Sequence, residues 1–115
     1  MGVRFAEGFR GEKVNRRPAG AYRACLLHEF SRTGIVARTE VPVPVTFRGL
    51  ELDCGYRADL VVEGKVIIEL KAVESLLPIH DAQLLTYLKL SGLRLGYLMN
   101  FNARTLKDGL RRLVR

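Results

Sequence analysis

Residues 57–73, RADLVVEGKVIIELKAV, limit the fold more than any other part of the chain. Arg57 to Val62 and Val66 to Val73 are near-continuous apolar runs rich in Val and Ile. That composition suits strands of a sheet covered on both faces. Only Glu63, Gly64 and Lys65 separate them, and a three-residue loop containing Gly is a common hairpin connection. The pair reads as a hairpin whose two faces both need covering, so the remaining chain must supply helices.

It does. Tyr22, Leu26 and Phe30 recur at i, i+4 and i+8, which predicts a helix over Ala19 to Thr33 ended by Gly34. In VPVPV, Val41, Val43 and Val45 alternate with prolines that cannot donate to a ladder, which predicts an edge strand. FRGLEL reads as a turn with a short return strand. Pro78 opens a second helix, PIHDAQLLTYLKLSG, closed by Gly92. His80 is expected to cap or solvate its start. LRLGYLMNF reads as a further buried strand. In the tail, Leu106, Leu110 and Leu113 would line one face of a helix, and Arg104, Lys107, Arg111 and Arg115 another, although Gly109 would cost that helix about 1 kcal/mol. Residues 1–18, Gly-rich and basic, read as an N-terminal arm, and residues 19–115 as one domain. The element order is α-β-β-β-α-β, an α/β arrangement with a mixed sheet flanked by helices.

Composition narrows the partners. The chain has 115 residues, 48% of them hydrophobic, enough for one modest core. With 19 basic and 12 acidic residues it carries a formal net charge of +7, which favours a polyanion, nucleic acid first. Cys25 and Cys54 form neither a CxxC metal framework nor a disulfide scaffold, and suit a reducing cytoplasm. No apolar run approaches the ~20 residues of a membrane span. The start has acids among its bases and no apolar stretch, so no secretory signal is expected.

Three charges stand inside the hairpin strands: Asp59, Glu69 and Lys71. Side chains alternate along a strand, so Ile67, Glu69, Lys71 and Val73 share one face. If Val62 faces Val66, Asp59 faces Glu69, with Cβ atoms about 5 Å apart, a separation at which two carboxylates can share a divalent cation. A two-residue loop would shift the register and send the carboxylates to opposite faces. A hard cation with oxygen ligands offsets the repulsion between paired carboxylates, polarises a phosphoryl oxygen and activates water. The competing reading is plain salt bridging of Asp59 and Glu69 to Arg57, Lys71 or Arg94. A lysine between carboxylates is a poor base, so Lys71 is expected to act as a cation that orients water and meets developing charge. On the second helix Gln83 and Tyr87 are i, i+4 neighbours on one stripe that can reach the scissile phosphate, while Leu84, Leu85 and Leu88 face the core. The bland alternative is an amphipathic helix with a polar flank.

VPVPV, RADL, ELKAVE, HDAQLLTYL and LKDGLRRLV together resemble blocks of the GxxExxR proteins, a family of the PD-(D/E)XK nuclease superfamily. The resemblance runs from about Tyr22 to Arg115. It implies a restriction-endonuclease-like core in which the second-strand aspartate and the third-strand E-x-K, here Asp59, Glu69 and Lys71, bind Mg2+ (or Mn2+) and set up hydrolysis. It adds the Leu70 backbone carbonyl as a metal ligand. The Gln83/Tyr87 pattern is similar to the Q-x-x-x-Y of RecB-type exonuclease domains. Arg111, Arg112 and Arg115, with Tyr87, are candidate nucleic-acid contacts. The chain departs from the family at the motif that names it: Arg16 and Ala19 stand where Gly and Glu are expected.

The expected function is Mg2+-dependent hydrolysis of nucleic-acid phosphodiesters in the cytoplasm, with Asp59, Glu69, Lys71 and Gln83 as catalytic residues. The alternative is a catalytically weakened or inactive nucleic-acid-binding module of the same fold, favoured by Ala19 and disfavoured by the intact D…ExK. A third reading is a small subunit that forms a homodimer through an exposed apolar edge.

Overall fold

The structure is a computed structural model and describes residues 19–115. The expected N-terminal arm over residues 1–18 lies outside the described residues. The first helix, α1 (Ala19–Arg32), buries Tyr22, Leu26 and Phe30 on its inner stripe. It stops where Gly34 turns left-handed, φ 75°. There Ile35 N–H reaches back to Phe30 O at 2.9 Å and Gly34 N–H to Ser31 O at 3.3 Å, the paired bonds of a Schellman cap.

The strands are β1 (Ala37–Pro42), β2 (Val45–Phe47), β3 (Leu50–Leu52), β4 (Arg57–Val62), β5 (Val66–Lys71), β6 (Leu95–Asn100) and β7 (Leu110–Val114). Five of them form one sheet in the order β1-β4-β5-β6-β7. β5 and β6 run parallel and are joined by α2 (Pro78–Ser91); the other neighbours are antiparallel. As the Val-Pro repeat implies, β1 is an edge strand, with Pro42 at its end. The repeat is not one strand, however. The ladder breaks at Val43, whose N–H bonds Tyr56 O at 3.0 Å, and the chain resumes as the separate β2–β3 ribbon.

Each sheet face carries its own core. Tyr22, Leu26 and Phe30 of α1 pack on Leu60, Ile68 and Leu70. Leu84, Tyr87 and Leu88 of α2 pack on Val61, Ile67 and Leu98 on the opposite face. A Cβ at Gly96 would lie 2.9 Å from Leu84 Cδ1, so its absence lets α2 sit close on β6. The result is a five-stranded mixed sheet flanked by helices, the arrangement expected from the sequence. Among the described residues no helix is long and apolar enough to cross a membrane, and Cys25 and Cys54 are both free.

The tail departs from expectation. Instead of one helix it forms a single turn, α3 (Leu106–Gly109), followed by β7. Leu110 packs into the α1-side core and Leu113 into the α2-side core. Residues three apart share a face on a helix but oppose one another on a strand. The open edge of β6 decides the matter, because β7 satisfies its backbone from Leu95↔Val114 to Met99↔Leu110. Arg111 and Arg115 therefore do not lie on one helical face.

Candidate active site

The hairpin register is Val62↔Val66, Val61↔Ile67 and Leu60↔Ile68, as the Glu63-Gly64-Lys65 loop predicts. The ladder then stops one pair short of Asp59 and Glu69, and side chains replace it. Asp59 N–H donates to Glu69 Oε1 at 3.2 Å, and Leu70 N–H donates to Asp59 Oδ2 at 2.8 Å. The two carboxylates reach sideways across the gap between the parted strands instead of standing upright on one face. Facing alternation also breaks here. Leu60 and Val62 belong to the α1-side core, yet Val61 and Ala58 both belong to the α2-side core. On the neighbouring strand, the position between the pairs Thr39↔Leu60 and Val41↔Ala58 is Glu40, held left-handed at φ 49°. A non-glycine residue held there costs of order 1 kcal/mol or more. Its carboxylate turns away to Arg23 of α1, at 3.0 Å.

Glu69 is 3% exposed. Burial, and then the touching and repelling Asp59 carboxylate, push its pKa up to about 9; the Asp59 N–H and the Lys71 cation pull only weakly the other way. Salt bridging does not explain the pair. Arg57 engages Asp53 instead, at 3.1 Å. Arg94 offers its carbonyl to Arg115 N–H. Among the described residues no cationic side chain is within 4.0 Å of Asp59 or Glu69. Lys71 Nζ donates instead to Gln83 Oε1 at 3.1 Å, and Gln83 Nε2 donates to Tyr87 Oη at 3.2 Å. Strand β5 and helix α2 thus join in one polar chain beside the carboxylates. Burial raises the Tyr87 pKa, with the nearby Glu69 and Asp59 adding to the shift, so its hydroxyl keeps its proton. No acceptor for that proton lies among the described residues.

The donor set fits a hard divalent cation. It offers two carboxylates and, on the edge of β5 that bonds Asp59, the Leu70 carbonyl, because N–H and C=O of one strand residue point to the same side. Among the described residues no group of three His, Cys, Asp or Glu could hold a metal. Mg2+ usually binds through one or two carboxylates and keeps several waters, so a two-carboxylate site suits it.

The remaining expected residues divide. Arg111 Nη1 bonds both carboxylate oxygens of Asp81 at 2.9 Å, tying β7 to the start of α2. Arg115 donates to Leu93 O and Gly92 O at the C-terminal end of α2. Arg112 is exposed on β7. His80 Nδ1 accepts from Leu77 N–H at 2.9 Å and caps α2.

Two residues escaped the sequence reading. Asn100, 5% exposed, accepts from Val73 N–H and donates to Val73 O at 3.0 and 2.9 Å, pinning the segment that leaves Lys71. A lone Asn at a strand end carries no signal of such a role. Tyr56 lies against Tyr87, ring centroids 5.9 Å apart, in a loop with no periodicity to reveal it.

The family model of the PD-(D/E)XK nuclease superfamily covers residues 19–113. No curated protein and no solved structure matches the chain.

Proposed function

The chain belongs to the PD-(D/E)XK nuclease superfamily, and from that premise we propose that it is a Mg2+- or Mn2+-dependent nuclease that hydrolyses nucleic-acid phosphodiesters at Asp59, Glu69 and Lys71. The sequence blocks quoted above favour the GxxExxR family within it. The observation that carries the reading is the pair of carboxylates facing each other across parted strands with no cationic side chain between them among the described residues. Keeping Glu69 ionised there without a counter-charge costs several kcal/mol, and hydrogen bonding to Asp59 N–H offsets only part of it.

Asp59, Glu69 and the Leu70 carbonyl would hold the ion. When bound, it supplies Lewis-acid polarisation of a phosphoryl oxygen and a positive charge that favours ionisation of water. The protein's own groups do the rest. Asp59 and Glu69, each anchored by a backbone N–H, keep their oxygens fixed so that little reorganisation accompanies the reaction. Lys71, steadied by Gln83, orients the attacking water and meets the charge that builds on the phosphoryl oxygens. Tyr87 fixes the Gln83 amide and has a proton left to donate to the phosphodiester.

Ala19, where the family carries Glu, favours a second reading: a nucleic-acid-binding module of the same fold with weakened or lost chemistry. One experiment separates the two. Linear, circular and structured DNA and RNA are incubated with Mg2+, Mn2+ or EDTA, beside Glu69→Ala. Metal-dependent cleavage abolished by Glu69→Ala supports the nuclease. Retained binding with no cleavage in any metal supports the module, and restored cleavage by Ala19→Glu would locate the lost chemistry.

A further inference from the structure

Tyr56 is an exposed aromatic ring on a rigid mount. The residue is 41% exposed, yet the backbone beneath the ring is pinned. The Tyr56 carbonyl accepts from Val43 N–H at 3.0 Å and from Arg57 Nη1 at 2.9 Å. Asp53 Oδ1 accepts from Gly55 N–H at 2.9 Å, and the Asp53 carboxylate takes the Arg57 guanidinium through both oxygens. The loop is thus locked on either side of a ring left open to solvent. That ring tilts against Tyr87 at 53°, and Tyr87 is bonded to the Gln83–Lys71 chain. Tyr56 also precedes Asp59 by only three residues. The exposed ring therefore adjoins the polar chain that runs from Tyr87 through Gln83 to Lys71 beside the carboxylates.

Its surroundings decide what it can hold. Charge contacts to phosphate fix the backbone but cannot hold the base beside the reacting bond. A neutral π-face can, because every base has one and stacking tolerates any sequence. A base inside a duplex already has both faces stacked on its neighbours, so only an unpaired base or the terminal pair of a duplex end can lie on a protein ring. Resting on the nucleic-acid reading above, we propose that Tyr56 is the stacking platform for the nucleobase beside the scissile phosphate, and that the substrate presents an unpaired or terminal nucleotide there, as a single strand, an overhang or a duplex end.

The test is binding, kept apart from cleavage by EDTA. Single-stranded oligonucleotides carrying 2-aminopurine at successive positions, and closed circular duplex DNA without ends, are titrated with the full chain and with Tyr56→Ala, Tyr56→Leu and Tyr56→Phe. Melting curves confirm that each variant folds; Tyr56→Leu keeps apolar bulk against Tyr87. The expected result is 2-aminopurine quenching confined to one or two positions. Tyr56→Ala and Tyr56→Leu should each weaken single-strand affinity about 5- to 100-fold with little change for duplex, and Tyr56→Phe should retain it. Equal losses on single strand and duplex, unchanged single-strand affinity in Tyr56→Leu, or failure of Tyr56→Phe to retain binding overturns the platform alone. No binding of any nucleic acid by the unaltered chain overturns the functional reading along with it.

Discussion

Glu69 is where the site and the stability of the fold meet. Its pKa is raised from the ordinary 4.5 to about 9, so between those values the folded chain holds a proton that the unfolded chain has lost. The stabilisation from that proton is fully present below about pH 4.5 and is lost as pH rises through 9. In EDTA the melting temperature should therefore fall from pH 5 to pH 9, with a slope of at most about 1.4 kcal/mol per pH unit. Glu69→Gln should flatten this slope, and a slope unchanged by that substitution would place its origin elsewhere. Metal should act in the same window. A divalent ion on Glu69 displaces the proton, so Mn2+ affinity should climb with pH, and calorimetry in buffers of different ionisation enthalpy should register about one proton released near pH 7. Identical heats across buffers would mean that Glu69 does not ligate the ion. The sequence made Asp59, Glu69 and Lys71 legible because charges in an apolar strand are conspicuous. It did not make their sideways reach legible, because period-2 facing presumes an unbroken ladder, and the ladder ends at Leu60↔Ile68.

Among the elements, those with local signals were readable and those decided by neighbours were not. α1 and α2 carry their own stripes and glycine stops, and the hairpin its own loop, so all three stand where expected. β7 has no such signal. LKDGLRRLV satisfies a helical spacing as well as a strand, and the free edge of β6 chooses between them. Gly109 gives opposite predictions for the two. In a helix, Gly109→Ala would stabilise by about 1 kcal/mol. At the α3–β7 junction an added Cβ runs into the Asn100 carbonyl and lies 2.9 Å from Ala103 Cβ. Because the obstacle is backbone, it cannot swing aside, and Gly109→Ala should destabilise by roughly 1–3 kcal/mol. That is a melting-temperature drop of several degrees for a domain of this size. A variant that melts higher than the parent would remove the strand assignment. The displaced carbonyl belongs to Asn100, which pins Val73, so the same substitution should also disturb the end of the strand that carries Lys71.

At the scale of the whole molecule the net charge of +7 is the main pointer to a polyanion, but the structure divides the basic residues by use. Arg23, Arg32, Arg57 and Arg111 are each paired with a carboxylate, so the count of free cations is smaller than the sequence suggests. Arg111 and Arg112 are neighbours that should separate the two roles. Arg111 joins the far edge of the sheet to the helix that carries Gln83. Its partner Asp81 is half-buried, while Arg111 itself is 41% exposed on its side chain. Solvent screening therefore limits the bond to about 1 kcal/mol. Arg111→Ala should lower the melting temperature by a few degrees and weaken nucleic-acid binding only as far as the fold loosens. Arg112 is exposed on β7 and free to meet phosphate. Arg112→Ala should leave melting within a degree or so, weaken binding alike on all sequences, and reduce the log–log salt slope by about 0.9, the contribution of one neutralised phosphate. Titrations of parent and both variants across low to physiological salt read all three quantities. A parent whose affinity is flat with salt would point away from a polyanion altogether. A steep parent slope left untouched by Arg112→Ala would move the contact surface from the β7 edge to other exposed cations.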